Sequence, residues 1–415
     1  MQSSSLKVGC IGAGFVARFQ VTAMKQVRGI ELAGVTALNG AGELAAYARS
    51  VGVGDPAVFH TVAEMAKHVD CIAIFAPNYV RVPLMEEIAA AVHAGAELKG
   101  VICEKPLGRN VAEARRLVEL AGSAKLRTAY FENQIFMKPV RSQLAQLEPV
   151  QLKMGPLSLV RSAEEHGGPH EGWFWDPVRQ GGGVLCDMGC HSIAVGWYAL
   201  TPAGRDISFL QPLSVNAETA LLKWGQPFWR EKLLRERGVD YLKTPAEDFA
   251  TGMITFINPE TGQKVKEQFT NSWMFDKQGL RLFMDGMGPG YAFEVNTLIS
   301  PLNIFIGDVA AEALKDAESA LEKATASRGL LAVQYNEADL YGYTEENEDA
   351  MLAFSQGKSG MLPWSYGLEI TKLVMAAYMS AERRRAIDLT DPSVRQELET
   401  FIPLVQQGRG RETLL

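Results

Sequence analysis

The chain has 415 residues, enough for two domains of ordinary size, and a formal net charge of −7 at pH 7. A chain with this charge lacks the clustered lysines and arginines that a nucleic acid or an anionic membrane surface requires, so small solutes are the expected partners. Its five cysteines are odd in number and form no C-x-x-C pair, which indicates a reduced, cytoplasmic protein, and no apolar run reaches the length of a membrane span.

A nucleotide-binding pattern stands near the start of the chain. An apolar stretch at 6–11 leads directly into a G-x-G-x-x-A sequence, and apolar residues at helical spacing follow. The first glycine of such a pattern makes a tight turn, the second lets the backbone approach a pyrophosphate, and the helix N-terminus offers unpaired N–H groups. By itself the pattern also fits a plain glycine turn in an α/β protein. As a cofactor site it comprises Gly12, Gly14, Phe15, Val16 and Ala17.

The remainder of the first third alternates between strands and helices. We predict strands at 30–36, 69–77 and 99–106, with helices at 41–51 and 111–123. Strands that alternate with helices form a parallel, doubly wound sheet. The sequence therefore predicts an α/β fold that begins with a dinucleotide-binding Rossmann domain over 1–135.

The position that distinguishes NAD from NADP lies at the end of the second strand. An acid there binds the ribose hydroxyls, and an arginine accommodates a 2′-phosphate. This chain has Asn39, which can hydrogen-bond a hydroxyl group but has no charge to hold a phosphate, and no arginine or lysine lies between Arg28 and Arg49. NAD is the favoured cofactor, and NADP stays possible.

Beyond the first third, the pattern changes to longer strands. Apolar side chains recur with a period of two at Val265 and Phe269, around Glu267, and at Leu280, Leu282 and Met284. We predict a substrate-binding and oligomerisation domain of the α+β type over 136–415, with a large, open, mostly antiparallel sheet. Its free face is expected to join a homodimer or homotetramer. A helix at about 363–385 is expected to pack back between the domains, and the stretch KWGQPFWREKLLRERG is expected to be a solvated amphipathic helix.

Two polar strand ends supply further candidates for the first domain. Glu104 and Lys105, followed by a proline, end the strand predicted at 99–106. A lysine in a partly dry cleft beside a nicotinamide can transfer a proton or anchor a hydroxyl group. The alternative is a surface lysine at a strand end. Asn133, at the end of the following strand, is expected to face the same cleft, and all three residues are assigned to the cofactor site.

The stretch GGGVLCDMGCHS combines glycines with an acid and a histidine. His191 lies four residues after Asp187, so a helix would place both on one face, where the histidine could remove a proton while the aspartate orients it or binds a hydroxyl. A lone histidine is more often a core residue. We expect Gly181–Gly183 to permit a close approach of backbone to cofactor or substrate. Zinc is disfavoured because the cysteines lack paired spacing and a second ligand cluster, so no metal is predicted.

The loop at 164–177 precedes this stretch and is rich in aromatic residues. Aromatic faces beside hydrogen-bonding groups suit a pyranose ring, which has apolar C–H faces and a polar rim. A loop packed on its own tryptophans is the alternative. As a substrate site it would comprise His166, His170, Trp173 and Trp175, together with Lys105, Asp187 and His191.

Taken in order, the Glu-Lys-Pro sequence, the three glycines and the D-x-x-x-H pair resemble those of the Gfo/Idh/MocA oxidoreductase family. The resemblance implies that Lys105, Asp187 and His191 surround the reacting carbon of a sugar, glycoside or cyclitol. Ala76, Pro77 and Asn78 are similar to the turn on the nicotinamide side. This chain departs from the family at Arg81, which stands near the position where a histidine is frequent.

Three functions fit these motifs. The first is an NAD(P)-dependent dehydrogenase of a carbohydrate-like hydroxyl group. The second is an NAD-dependent glycosidase that oxidises the sugar transiently, eliminates the aglycone and restores the hydroxyl group. The third is a binding protein that uses the nucleotide as a sensor. The first two share every motif and differ in whether the cofactor is consumed.

Overall fold

The structure is a computed structural model and describes residues 5–277, 279–298, 303–306, 329–332 and 336–415. Its strands in chain order are β1 (Leu6–Ile11), β2 (Ile30–Thr36), β3 (Ala57–Val58), β4 (Cys71–Ile74), β5 (Gly100–Glu104), β6 (Arg127–Phe131), β7 (Leu159–Glu165), β8 (Gln211–Ala220), β9 (Phe249–Ile257), β10 (Lys264–Ser272), β11 (Arg281–Gly288), β12 (Tyr291–Asn296), β13 (Asn303–Ile306), β14 (Gly329–Ala332) and β15 (Ile387–Asp388).

The helices are α1 (Phe15–Met24), α2 (Ala41–Val51), α3 (Val62–Met65), α4 (Arg81–His93), α5 (Val111–Ser123), α6 (Asn133–Phe136), α7 (Lys138–Met154), α8 (Pro177–Gln180), α9 (Cys190–Leu200), α10 (Pro227–Arg237), α11 (Glu337–Leu340), α12 (Tyr343–Ser355), α13 (Trp364–Arg383), α14 (Pro392–Leu398) and α15 (Arg411–Leu414). Short 3-10 turns lie at Asn78–Val80 and Gly172–Trp175, and a π-helical turn lies at Leu185–Gly189.

The chain forms two compact units. The first comprises 1–137 and 338–371, and the second comprises 138–337 and 372–415. The first unit thus includes a segment, 338–371, that the sequence interpretation placed in the second domain. The domain bounds of 1–135 and 136–415 stay a prediction.

A six-stranded parallel sheet in the order β3-β2-β1-β4-β5-β6 forms the centre of the first unit. The chain reverses its direction of winding between β1 and β4, and ligands of such sheets bind outside the carboxyl ends of the strands at that point. The predicted doubly wound Rossmann sheet is confirmed. The central strands β1, β4 and β5 are buried on both faces, as their continuous apolar sequences require.

Helix α12 completes the core of the first unit. Its apolar side chains Ala350, Met351 and Phe354 are buried in the same cluster as Val8 and Ile102 of the sheet. Full burial of a phenylalanine side chain contributes roughly 1.5–3 kcal/mol. The late segment is therefore an integral part of this core.

The second unit contains a seven-stranded sheet in the order β12-β11-β7-β10-β9-β8-β15. Strands β7 and β10 pair in parallel, and the other neighbours pair antiparallel, which confirms the mostly antiparallel sheet. Helix α9 packs on β7 and β10. The inward residues of β10 include Val265 and Phe269, and also Glu267, whose carboxyl is fully buried. Burial raises the pKa of Glu267 well above its usual value.

Helix α10 forms within the charged and aromatic stretch, as predicted, and among its residues only Leu233 is buried. It begins at Pro227, a favoured first helical residue, and ends before Gly238 in the left-handed conformation. Among the helices of the described residues, none combines the length and the apolar character needed to cross a membrane.

Candidate functional site

The glycine loop lies between β1 and α1, at the carboxyl edge of the first sheet. Gly12 has a φ of +109°, and a Cβ there would lie 2.7 Å from the carbonyl oxygen of Phe75, so the turn requires glycine. Gly14 is the N-cap of α1, and a Cβ there would meet no atom within 4 Å. This open space in front of a helix N-terminus fits a pyrophosphate, and the first turn includes Phe15, Val16 and the buried Ala17.

The end of β2 adjoins this loop. A Cβ on Gly40 would lie 3.5 Å from the Cβ of Ala13, while Leu38 and Asn39 are exposed. Asn39 thus lies three residues after β2, near the strand end where a ribose hydroxyl is bound in this kind of fold. Arg18, on α1, stacks on the ring of Tyr47 with 4.0 Å between the guanidinium carbon and the ring centroid.

Arg81 holds the turn that contains Lys105. Its side chain is buried, and its guanidinium group donates to the carbonyl oxygens of Glu104 at 2.6 Å and Lys105 at 3.2 Å. It also donates to the carbonyl oxygen of Pro106 and, at 3.2 Å, to that of Ala76. The sequence marked Arg81 only as a departure from the family pattern. The structure shows that one cation binds both the Glu-Lys-Pro turn and the first residue of the neighbouring Ala-Pro-Asn turn.

Buried polar groups lie behind this turn. The side-chain amide of Gln20 donates to Glu104 at 2.7 Å and to Glu346 at 2.9 Å. Burial raises the pKa of Glu346 well above its usual value, and the nearby charge of Glu104 raises it further. Burial also raises the pKa of Glu132 to about 8, although the charge of Lys105 opposes this. Asn133 donates to the carbonyl oxygen of Tyr341 at 2.7 Å. No local sequence pattern marks Gln20 or Glu346, because their contacts join distant segments.

Asp187 and His191 lie in the second unit and are both nearly fully buried. The sequence predicted one α-helix for the pair, but Leu185–Gly189 is a π-helical turn, and α9 begins only at Cys190. The prediction of a regular i, i+4 face is therefore wrong at Asp187. π-helical turns within helices are frequent at functional sites because their wider turn redirects side chains.

Each of these two side chains faces a residue that the sequence did not indicate. The carboxylate of Asp187 accepts a hydrogen bond of 3.3 Å from the indole nitrogen of Trp273. The Nε2 atom of His191 lies 4.0 Å from a carboxylate oxygen of Glu164, which is also buried. Asn271 donates to the carbonyl oxygen of Glu164 at 3.4 Å. A buried imidazole beside a carboxylate can accept a proton at lower cost, because the resulting charge is paired.

The three glycines before this turn have a structural partner. The carboxylate of Glu247 accepts from the backbone N–H groups of Gly183 at 2.9 Å and Leu185 at 3.1 Å, and from the hydroxyl of Tyr378 at 2.5 Å. A Cβ on Gly182 would lie 2.0 Å from the Tyr378 hydroxyl, and one on Gly183 would lie 2.2 Å from the Glu247 carbonyl oxygen. The expectation that these glycines admit cofactor or substrate is corrected: the close approach is made by Glu247 and Tyr378.

The cysteines of this stretch are small buried residues. Cys186 and Cys190 are reduced thiols, and their sulfur atoms donate to the carbonyl oxygens of Gln180 and Asp187. Within the part of the chain that the structure describes, no group of three histidine, cysteine or acidic side chains is arranged to hold a metal ion.

The predicted substrate loop divides into buried and accessible parts. His166 is buried, and its Nδ1 atom accepts from the backbone N–H of Gly168 at 3.0 Å. Trp175 is buried, and its indole donates to the carbonyl oxygen of Pro169 at 3.2 Å. His170 and Trp173 are half-buried. The loop thus packs partly on its own tryptophan, as the alternative interpretation held, and leaves two side chains accessible.

The predicted site residues therefore form one group in each unit. In the first unit the structure brings together the glycine loop, the Ala76-Pro77-Asn78 turn and the Glu-Lys-Pro turn at neighbouring strand ends. Asn78 is buried there. In the second unit it places Asp187 and His191 beside Trp273 and Glu164.

Comparison with known proteins agrees with this fold. Residues 6–131 match the Gfo/Idh/MocA family, described as an oxidoreductase family with an NAD-binding Rossmann fold. This match confirms the resemblance seen in the motifs. A crystal structure of GenD2 from gentamicin A biosynthesis in complex with NAD is 18% identical, with a TM-score of 0.70, and the match covers 94% of this chain and 97% of that one. This likeness shows the fold.

Two curated relatives are more similar in sequence. Glucose-6-phosphate 3-dehydrogenase of Bacillus subtilis is 24% identical over 222 residues, which cover 51% of this chain and 59% of that protein. D-glucoside 3-dehydrogenase of Escherichia coli is 25% identical over 289 residues, which cover 68% and 78%. The chain thus spans less than two thirds of the first of these relatives.

Proposed function

We propose that the protein is an NAD(P)-dependent dehydrogenase that transfers a hydride between the nicotinamide and a secondary hydroxyl group of a sugar, glycoside or cyclitol. The observation that carries the proposal is the buried imidazole of His191, which lies beside the carboxylate of Glu164. His191 is in helix α9, directly after the π-helical turn that contains Asp187. The NAD-binding domain at 6–131 and the two relatives named as 3-dehydrogenases of glucose derivatives support it.

The first unit would hold the cofactor, which supplies the hydride acceptor or donor when bound. The open space at Gly14 would receive the pyrophosphate, and Asn39 would bind the ribose. NAD is preferred because Arg81, a candidate for a 2′-phosphate, is buried against four carbonyl groups, and Arg18 stacks on Tyr47. The remaining contacts would come from Phe15, Val16, Ala17, Ala76, Pro77, Asn78, Glu104, Lys105 and Asn133.

Proton transfer would be the task of His191 and Lys105. His191 would take the hydroxyl proton, and Glu164 would stabilise the imidazolium that forms. Asp187 would bind a substrate hydroxyl group or orient the imidazole. Lys105 would anchor the reacting oxygen or exchange a proton with it, on a turn whose carbonyl groups Arg81 holds.

The loop at 164–177 would bind the substrate. His170 and Trp173, its half-buried members, would contact the ring directly, whereas the buried His166 would support the loop. Trp175 is largely buried but lines a cleft beside the loop, and it would also face the substrate. We also propose a homodimer or homotetramer formed through the open sheet, which sedimentation velocity would test.

Two substitutions test the assignment. Lys105→Met keeps the approximate side-chain length and removes the charge, and His191→Asn keeps hydrogen bonding and removes the base. Both variants should fold and bind NAD, with turnover lowered about a hundred- to ten-thousandfold. The assay follows reduced cofactor and free aglycone together, with NAD or NADP and a panel of sugars, glycosides and cyclitols.

Matched controls are Lys67→Met and His60→Asn, which change exposed residues of the first unit. Near-normal turnover in either test variant would remove that residue from the mechanism. Release of aglycone without net reduction of cofactor would refute net dehydrogenation and establish the glycosidase alternative.

A further inference from the structure

A cleft of about 530 Å³ opens in the second unit between the loop at 167–170 and helix α10. Helix α10 belongs to the charged and aromatic stretch for which the motifs give no role. The cleft is large enough for a small organic ligand. Among the residues that line it are His170, Trp175, Lys223, Trp224, Lys232 and Arg237.

Indole rings form one wall of this cleft. The ring centroids of Trp175 and Trp224 lie 4.7 Å apart, and those of Trp224 and Trp229 lie 5.4 Å apart, both in edge-to-face geometry. Trp175 and Trp224 are buried, and Trp229 is half-buried. Indoles beside polar groups suit the apolar C–H face and the polar rim of a pyranose ring.

More positively charged than negatively charged side chains line the cleft. Lys223 is nearly buried and pairs with Asp276 at 2.5 Å, and Glu236 pairs with Arg235 at 3.1 Å. These pairs account for both carboxylates that line the cleft. Lys232 and Arg237 are thus the lining cations that have no carboxylate partner among the described residues. A ligand with a negative charge would be favoured over its neutral counterpart.

The cleft adjoins the candidate acid–base residues of the same unit. Trp175 contacts Trp273 with 5.2 Å between ring centroids, and Trp273 donates to Asp187. Trp224 donates from its indole nitrogen to the carbonyl oxygen of Trp273 at 2.9 Å. One indole therefore separates the wall of the cleft from the carboxylate of Asp187.

We infer that this cleft binds an anionic pyranose, with the ring against the indoles and a phosphate or carboxylate substituent beside Lys232 and Arg237. The inference rests on the proposed function, because it names the substrate class of that dehydrogenase. Phosphorylated and carboxylated sugars share the chemistry that the cleft would recognise, and the experiment distinguishes them.

The test measures binding by calorimetry in the absence of cofactor, so that it does not depend on turnover. The probes are glucose 6-phosphate, glucuronate, glucose and inorganic phosphate. We expect one of the two anionic sugars to bind at least about tenfold more tightly than glucose and than phosphate, with weaker binding at higher salt. The Lys232→Met/Arg237→Gln double variant should remove this preference.

Arg230→Gln is the matched control, because Arg230 lies on the same helix α10 without lining the cleft, and the lining carboxylates Glu236 and Asp276 pair with Arg235 and Lys223 instead. It should retain the preference. Equal loss of the preference in Arg230→Gln and in the double variant would show a general effect of charge on α10 and overturn the inference. Equal binding of glucose and both anionic sugars would also overturn it. Phosphate that binds as tightly as the sugars would overturn the pyranose site. An anionic sugar that binds at the cleft but is never oxidised would refute the proposed function alone.

Discussion

Glu247 makes the stability of the second unit depend on pH in a predictable direction. Its carboxyl group is fully buried and holds the turn at Gly183, and burial raises its pKa to about 7 from an ordinary value of 4.5. Below 4.5 the group is protonated in the folded and the unfolded chain. Between these two values the folded chain binds more protons, so the free energy of unfolding falls as pH rises, and above about 7 the loss is complete. The difference corresponds to roughly 3 kcal/mol.

Glu247→Gln isolates this contribution. The glutamine oxygen can still accept from Gly183, Leu185 and Tyr378, and the side chain has no ionised form. The variant should match the parent protein at about pH 5 and exceed its free energy of unfolding by up to roughly 3 kcal/mol at about pH 8.

Urea unfolding followed by tryptophan fluorescence measures this difference, since every tryptophan of the seven except Trp364 lies in the second unit. Glu231→Gln, an exposed carboxyl of the same unit, serves as the control. A difference between Glu247→Gln and the parent protein that stays constant with pH would refute the reasoning.

Two further predictions concern the first unit. Gly14→Val should leave the unfolding temperature unchanged and abolish NAD binding in calorimetry. Gly12→Val should instead destabilise the fold by about 1–3 kcal/mol or more, because the φ of Gly12 is positive and a Cβ there would clash. Unaltered NAD affinity in folded Gly14→Val would refute the assignment of the pyrophosphate to the space at Gly14. Arg81→Met should lower the free energy of unfolding by at least about 1–3 kcal/mol, because four carbonyl groups lose a charged donor. It should also lower kcat more than it raises KM, and Arg81→Lys should give intermediate values of both. A variant with normal stability and kcat would show that Arg81 does not position Lys105.

Local sequence patterns were sufficient for the bounds of four elements of the first unit, whereas the strands predicted at 69–77 and 99–106 are shorter in the structure. β1, β2, α2 and α5 begin and end where the sequence predicts, and glycine or a capping residue borders each of them on at least one side. Asn110 illustrates this: its side-chain oxygen accepts from the backbone N–H of Glu113 at 3.0 Å and fixes the start of α5. Signals of this kind lie within a few residues of the element that they define.

The contacts that shape the candidate site join distant parts of the chain. Arg81 lies 23 residues before Glu104, and Glu247 lies 64 residues after Gly183. No local period can reveal such pairs. For the same reason the triple glycine suggested a passage for ligand, although it makes room for a carboxylate and a tyrosine hydroxyl. A glycine run shows that something approaches the backbone closely and leaves its identity open.

Glu164 shows which signal could have found a missing partner. Val160, Ser162 and Glu164 alternate along β7 and are all buried, so the carboxylate stands on the face that also carries the core. A charge in that position is costly unless it is paired or hydrogen-bonded, which predicts a polar partner from another element. The pairing of β7 with β10 places Asn271 opposite Glu164, and α9 packs on both strands. His191, near the start of α9, lies 4.0 Å from the Glu164 carboxylate. The negative charge of this carboxylate can therefore stabilise the protonated imidazole.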